Sequence, residues 1–148
     1  MNYRIVVDTN VIISSVLSPG GKPDQIFKAV FDGQLQLILS HAILRETRRV
    51  FSYHKIQKLL DRRGVTTEDI EDFLIKLIKI SILIAPISRP DIIKDDPADN
   101  AILATALDGQ ANFIVTGDQH LIALKEYRGI PILAPAKLIE EIGGNFQT

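Results

Sequence analysis

The chain contains no cysteine. Disulfides and thiolate metal sites are therefore excluded. Aromatic residues are scarce, at 6% of the 148 residues, so stacking partners for nucleobases are few. No long apolar run is present. The longest, Ile80 to Ile87, is interrupted by Ser81 and Pro86 and is far too short to span a bilayer. Met1-Asn2-Tyr3-Arg4 leads straight into a strand-like run, with no signal-peptide h-region or cleavage site. A reducing, cytoplasmic setting and no membrane partner are the expectation. No glycine-rich phosphate loop follows that first strand, where Asp8-Thr9-Asn10 stands instead.

What is present reads as an ordinary globular protein. Apolar residues make up 46% and charged residues 24%, the balance of a soluble domain. The length predicts a single domain over residues 1–148, able to bury roughly 68–70% of its unfolded surface without staples. The formal net charge is -1, but the charges are unevenly spread. From His41 to Arg63 the cations Arg45, Arg48, Arg49, Lys55, Lys58, Arg62 and Arg63 face only Glu46 and Asp61, a net of +5. From Asp91 to Asp118 the anions Asp91, Asp95, Asp96, Asp99, Asp108 and Asp118 face only Lys94, a net of -5. Such asymmetry allows a local nucleic-acid surface. On charge alone the plainer reading prevails: two solvated helical faces of opposite sign.

Periodicity and punctuation predict strands alternating with helices. Strands are expected at Tyr3 to Val7, Leu35 to Leu39, Ile80 to Ala85, Ala111 to Thr116 and, more weakly, Pro131 to Leu133. Helices are expected at Asn10 to Leu17, Asp24 to Phe31, His41 to Phe51 with Ser40 as cap, and onward to Arg63 before Gly64. Thr66 and Asp69 have capping-box spacing and open a helix from Glu68 to Lys79. Asp96-Pro97 reads as an N-cap followed by proline in the first turn of a helix ending at Asp108. Asp118 opens a short helix to Leu124, and Pro135 opens the last, to Ile142. This alternation predicts an α/β fold with three layers (α/β/α) and a parallel sheet of about five strands.

Two of the strands deliver acids at their carboxyl ends: Ile5-Val6-Val7 runs into Asp8, and Phe113-Ile114-Val115 runs through Thr116-Gly117 into Asp118. In an open parallel sheet, ligands bind outside those ends, where the strand order reverses. Asp99 opens a helix at the same edge. Its neighbours Leu103 and Ala106 are apolar, so it points inward, where a carboxylate is costly unless paired or bound to a cation. Glu46 lies at the margin of a buried stripe made by Ile43, Leu44, Thr47, Val50 and Phe51, with Arg45 and Arg49 well outside it. Taken singly, Asp8, Asp99 and Asp118 each have a plainer role as a helix cap or as a partner of the helix dipole, Asp96 is assigned as a cap, and Glu46 reads equally as a solvated residue. Converging carboxylates repel one another. A hard divalent cation removes that conflict, and an oxygen-only set suits Mg²⁺ or Mn²⁺.

Asp8-Thr9-Asn10 after the first strand, Glu46 in a middle helix, Asp99-Asn100 opening a late helix and Thr116-Gly117-Asp118 after the fourth strand together resemble the PIN-domain ribonucleases, most closely the toxins of toxin–antitoxin operons. The resemblance runs from about Tyr3 to Ile142. It implies a sheet in the order 3-2-1-4-5, with Asp8 and Asp118 on adjacent strands. It implies an acidic quartet of Asp8, Glu46, Asp99 and Asp118 that holds Mg²⁺ or Mn²⁺ and carries catalysis, with Asp99 taken on helix phase and Asp96 the next candidate for its place. Asn10, Asn100 and Thr116 would orient the carboxylates and waters. Arg45, Arg48 and Arg49, on the helix that carries Glu46, would meet the phosphates of a single-stranded RNA, and so would His120, whose plainer reading is a surface residue. The implied reaction is metal-dependent hydrolysis of RNA phosphodiesters, and the implied partners are RNA, a cognate antitoxin and a second copy in a homodimer. Two other readings are a phosphatase with Asp8 as nucleophile and a non-catalytic binding domain. The first would want a second aspartate where Asn10 stands, and an intact quartet argues against the second.

Overall fold

A computed structural model of the chain describes residues 2–90 and 97–143. The first strand, β1 (Tyr3–Val7), is followed by α1 (Thr9–Leu17) and α2 (Lys22–Phe31). Strand β2 (Leu35–Ser40) leads into α3 (His41–Phe51), α4 (His54–Arg62) and α5 (Thr67–Ile80). Then come β3 (Ile82–Ile84), α6 (Pro97–Asp108), β4 (Phe113–Val115) and α7 (Gln119–Ile122). A short β5 (Glu126–Tyr127), β6 (Ile130–Leu133) and α8 (Pro135–Glu141) complete the order. Among the described residues no helix is long and apolar enough to cross a membrane.

The sheet runs β3-β2-β1-β4-β6-β5, with helices packed against its strands in a three-layer α/β/α arrangement. Every pairing is parallel except β5 with β6. The predicted fifth strand is β6, in the expected place beside β4. The added strand corrects the expected count of five. Its signal is local: Arg128 and Gly129, at φ 51° and 83°, form a two-residue turn between Tyr127 and Ile130, and two consecutive positive φ values are the hairpin geometry that matches strand twist. Strands β3 and β4 are shorter than expected: Ile80 stays in α5, and β4 is confined to Phe113–Val115, although the Asn112 and Thr116 amides still bond the Arg4 and Leu133 carbonyls on either side. Helix α2 starts two residues early, since proline fits a first turn and Pro23 occupies one.

Strand β1 lies between β2 and β4 and is apolar without alternation because helices cover both faces. Ile5, Val6 and Val7 are wholly buried, as are Leu37, Ile38, Leu39, Ile114 and Val115 beside them. The chain builds outward from β1 through β2 to β3, then returns to β1's other side as β4. The strand order thus reverses at β1 and β4, so the crevice expected of such a sheet opens at their carboxyl ends.

Two helix starts follow the sequence, while α7 ends at Ile122, two residues short of the expected Leu124. Ser40 caps α3 by accepting from the Ile43 amide, and Thr66 and Asp69 form a reciprocal capping box, with bonds of 3.0 and 2.9 Å. Asp96, the expected cap of α6, lies outside the described residues. Helix α6 buries Asp99, Ile102, Leu103, Ala104, Thr105 and Ala106, nearly its whole circumference. Its exit is tight: a Cβ on Gly109 would stand 2.6 Å from Ile38 Cγ2 and 2.8 Å from the Thr105 carbonyl. Gly109→Ala is therefore expected to destabilise the protein by about 1–3 kcal/mol, the cost of overpacking. A urea unfolding midpoint equal to that of the wild type would contradict this packing.

Candidate active site

The register of β1 with β4 pairs Val7 with Val115, and the Asp8 amide donates to the Val115 carbonyl at 2.9 Å. Asp8 therefore leaves the sheet beside Thr116. Thr116 is completely buried. Its hydroxyl donates to Asp8 Oδ2 at 2.7 Å and accepts the Asp118 amide at 3.0 Å. Asn10 makes a second bridge: its Nδ2 donates to Asp8 Oδ2 at 3.3 Å, and its Oδ1 accepts the Gly117 amide at 3.2 Å. Both bridges tie the end of β1 to the loop after β4 and aim the Asp8 carboxylate.

This geometry separates the two strand-end aspartates. Asp8 occupies the N-cap position of α1 but its side chain makes no capping hydrogen bond. Asp118 does cap: its Oδ1 accepts the His120 amide at 2.8 Å at the start of α7. Asp118 is half-buried, and His120, two residues on, is exposed. The cap role open to both residues is thus realised only at Asp118.

A cleft of about 530 Å³ opens over Asp8. Thr9, Glu46, Arg45 and Arg49 line it with Asp8, and the first turn of α6 closes the other side through Pro97, Ala98 and Ala101. A buried hydroxyl pair holds α3 at this position. Thr47 donates to the Ile43 carbonyl at 2.8 Å, so the 3.1 Å contact with Thr9 takes its proton from Thr9. This pair links α1, just after Asp8, to the turn that carries Glu46. Nothing in the local pattern marks either threonine as part of the site.

Glu46 is 22% exposed and clasped by Arg49, whose Nη2 lies 2.8 and 2.5 Å from the two carboxylate oxygens. That hydrogen bond and the attraction of the Glu46 charge raise the pKa of Arg49. Arg45 shares the cleft. Arg48 does not: it turns to the opposite side of α3 and pairs with Glu71 of α5. The three arginines expected at substrate are thus two at the cleft and one away from it. One residue is about 100° around a helix, enough to send adjacent arginines to different neighbours.

Asp99 stands in the first turn of α6 and is 5% exposed, inward-facing as its helical phase predicted. Asn100, next to it, lines the hollow beside the cleft rather than the cleft itself. Asp8 and Glu46 share the cleft, and Asp118 connects to Asp8 through Thr116. Among the described residues no three His, Cys, Asp or Glu side chains stand close enough together to hold a metal ion. The donors at the cleft are carboxylate and hydroxyl oxygens. That set suits Mg²⁺, which keeps most of its waters and takes one or two carboxylates plus a substrate phosphate.

A model of the PIN domain family matches residues 4–120, a span that includes Asp8, Glu46, Asp99 and Asp118. An uncharacterized protein of Methanocaldococcus jannaschii is 29% identical over 126 residues, which make up 85% of this chain and 77% of that protein.

Proposed function

This chain belongs to the PIN domain family, whose members are in general nucleases, and on that premise we propose that it is a Mg²⁺- or Mn²⁺-dependent endoribonuclease. The observation that carries this reading is Asp8. It sits at the point where the strand order reverses, is held by Thr116 and Asn10 rather than capping its helix, and faces a cleft that also contains Glu46. A carboxylate fixed by one donor from the end of a neighbouring strand and one from the helix that follows its own strand is oriented before any ligand arrives, as a metal-binding acid requires.

Asp8 and Glu46, which share the cleft, are the carboxylates placed to take an ion that keeps most of its waters, and the family resemblance adds Asp99 and Asp118 to the set. Bound there, it would supply charge stabilisation to the phosphodiester and lower the pKa of attacking water. Thr116 and Asn10 aim Asp8, and the Thr9–Thr47 pair fixes the distance of α3. Arg49 holds Glu46 in place and, with Arg45, lines the cleft where RNA phosphates would lie. As a toxin held by a cognate antitoxin, and as a homodimer, the protein would match its family resemblance. Growth arrest on expression, relieved by a co-expressed neighbouring gene product, tests the toxin role.

The deciding experiment is a titration of Mg²⁺ and Mn²⁺ with single-stranded RNA, comparing the wild type with Asp99→Asn. Cleavage that requires the ion and is lost in the variant supports the reading. Absence of metal-dependent cleavage by the wild type overturns it.

The arginine geometry makes a separate prediction. Taking one cation away from the phosphates of a single strand lowers the slope of log K against log salt by about 0.7. Arg45→Ala and Arg49→Ala are each expected to show that reduction, whereas Arg48→Ala leaves the slope unchanged. Its exposed pair with Glu71 contributes only about 0–1 kcal/mol to stability. Equal slopes for all three variants, read by fluorescence anisotropy across a salt series, would remove Arg45 and Arg49 from the RNA path.

A further inference from the structure

Beside the acidic cleft lies a second hollow of about 360 Å³, within the range of small-ligand sites, roughly 300–1,000 Å³. Ala42, Pro97 and Ala101 line both spaces, so one wall of small, apolar side chains separates them. The remaining sides are mostly apolar: Pro86, Pro90 and Ala104. Polar groups are few. The buried hydroxyls of Ser40 and Thr105 stand 2.9 Å apart, and Ser88, Arg89 and the half-buried Asn100 supply the rest.

One wall is held by a device with no other evident purpose. Residues 86–90 lie outside helices and strands, yet Asp108, at the end of α6, grips them. Its Oδ2 accepts the Ile87 and Ser88 amides at 2.7 and 2.9 Å, and its Oδ1 accepts the Ser88 hydroxyl at 2.5 Å. These bonds, the Ser88 hydroxyl foremost, hold the Asp108 carboxyl below its ordinary pKa. Arg89 folds back over the same loop, donating to the Ser88 and Pro86 carbonyls at 3.0 and 3.3 Å. The wall is therefore set before a ligand enters.

We propose that this hollow receives one unpaired nucleobase of the RNA strand whose phosphate occupies the acidic cleft. The proposal rests on the nuclease reading for the strand and adds where its base goes. Flat apolar sides and an arginine plane accept the face of any base, and an amide with hydroxyls can meet its edge. A base in a duplex is stacked and paired and cannot enter, so the hollow selects single strands. Adjacency across one wall matches the short reach from a phosphate to a base of the same strand.

The test compares binding of a labelled single-stranded oligouridine, and of oligoadenosine, with an abasic ribose-phosphate strand of equal length, by fluorescence anisotropy. The wild type is expected to bind at least one base-bearing strand about tenfold more tightly than the abasic strand, the scale of one stack. Ala104→Leu, which fills the hollow, erases that difference. Arg89→Ala, at an exposed position outside helices and strands, narrows it. Equal binding of base-bearing and abasic strands by the wild type overturns the proposal, and is also the result if the hollow instead serves a partner protein's side chain. The two readings fail separately. Cleavage with no discrimination by base leaves the nuclease and sinks the base site. Discrimination that Ala104→Leu abolishes, without cleavage, leaves the base site and sinks the nuclease.

Discussion

Asp8→Asn is expected to reduce metal-dependent RNA cleavage by about a thousandfold, the loss of several kcal/mol of charge stabilisation at the reacting phosphate. The substitution keeps the shape of the side chain and an oxygen to accept from Thr116 and Asn10, whose bonds of 2.7 and 3.3 Å both reach Oδ2. What it removes is a unit of negative charge at the crevice between β1 and β4. The fold is expected to survive, with a change in stability within about 1 kcal/mol, because Asp8 does not cap α1. Single-turnover cleavage with saturating Mg²⁺ reads the first effect, and urea unfolding reads the second. Activity close to wild type in a well-folded variant would show that Asp8 takes no part in the chemistry.

Thr116→Val is expected to act on the same centre without touching an acid. The hydroxyl is completely buried and serves two partners, donating to Asp8 and accepting from the Asp118 amide. Valine has nearly the same shape but satisfies neither. Loss of a buried hydrogen bond to a charged group costs about 1.5–3 kcal/mol. Loss of an orienting partner typically weakens metal affinity by about 10–100-fold. Both losses are expected, measured by urea unfolding and by calorimetric titration of Mn²⁺, and Thr116→Ser should restore both because it returns the hydroxyl. A destabilised variant with unchanged Mn²⁺ affinity would make Thr116 a structural tie between strands and nothing more.

These two residues differ in how visible they are in the sequence. Asp8 stands out because an apolar run ends on a charge. Thr116 gains a role only through family resemblance, since a threonine after a strand is unremarkable by itself. Asp99 is legible from helical phase, with Leu103 and Ala106 on its side of the helix, and it is buried as that phase requires. Glu46 is legible only as a marginal position. Its place at the cleft depends on the Thr9–Thr47 contact, between residues 38 apart in the chain. Asp108 offers no signal at all, because its partners Ile87 and Ser88 lie 21 and 20 residues upstream, in a loop without periodicity.

The sequence by itself determined most of the elements and several of their edges: the apolar strand β1, the Ser40 cap, the Thr66–Asp69 capping box, and the alternation that makes a parallel sheet. Each follows from interactions spanning a few residues, through side-chain period, capping hydrogen bonds or the φ limits of proline and glycine. The tertiary structure alone decided which of two adjacent arginines meets the cleft and which meets Glu71, how Thr116 reaches Asp8, and that a loop held by Asp108 walls a second hollow. Those depend on distances between elements far apart in the chain, which are set by packing the whole core and have no counterpart in local pattern.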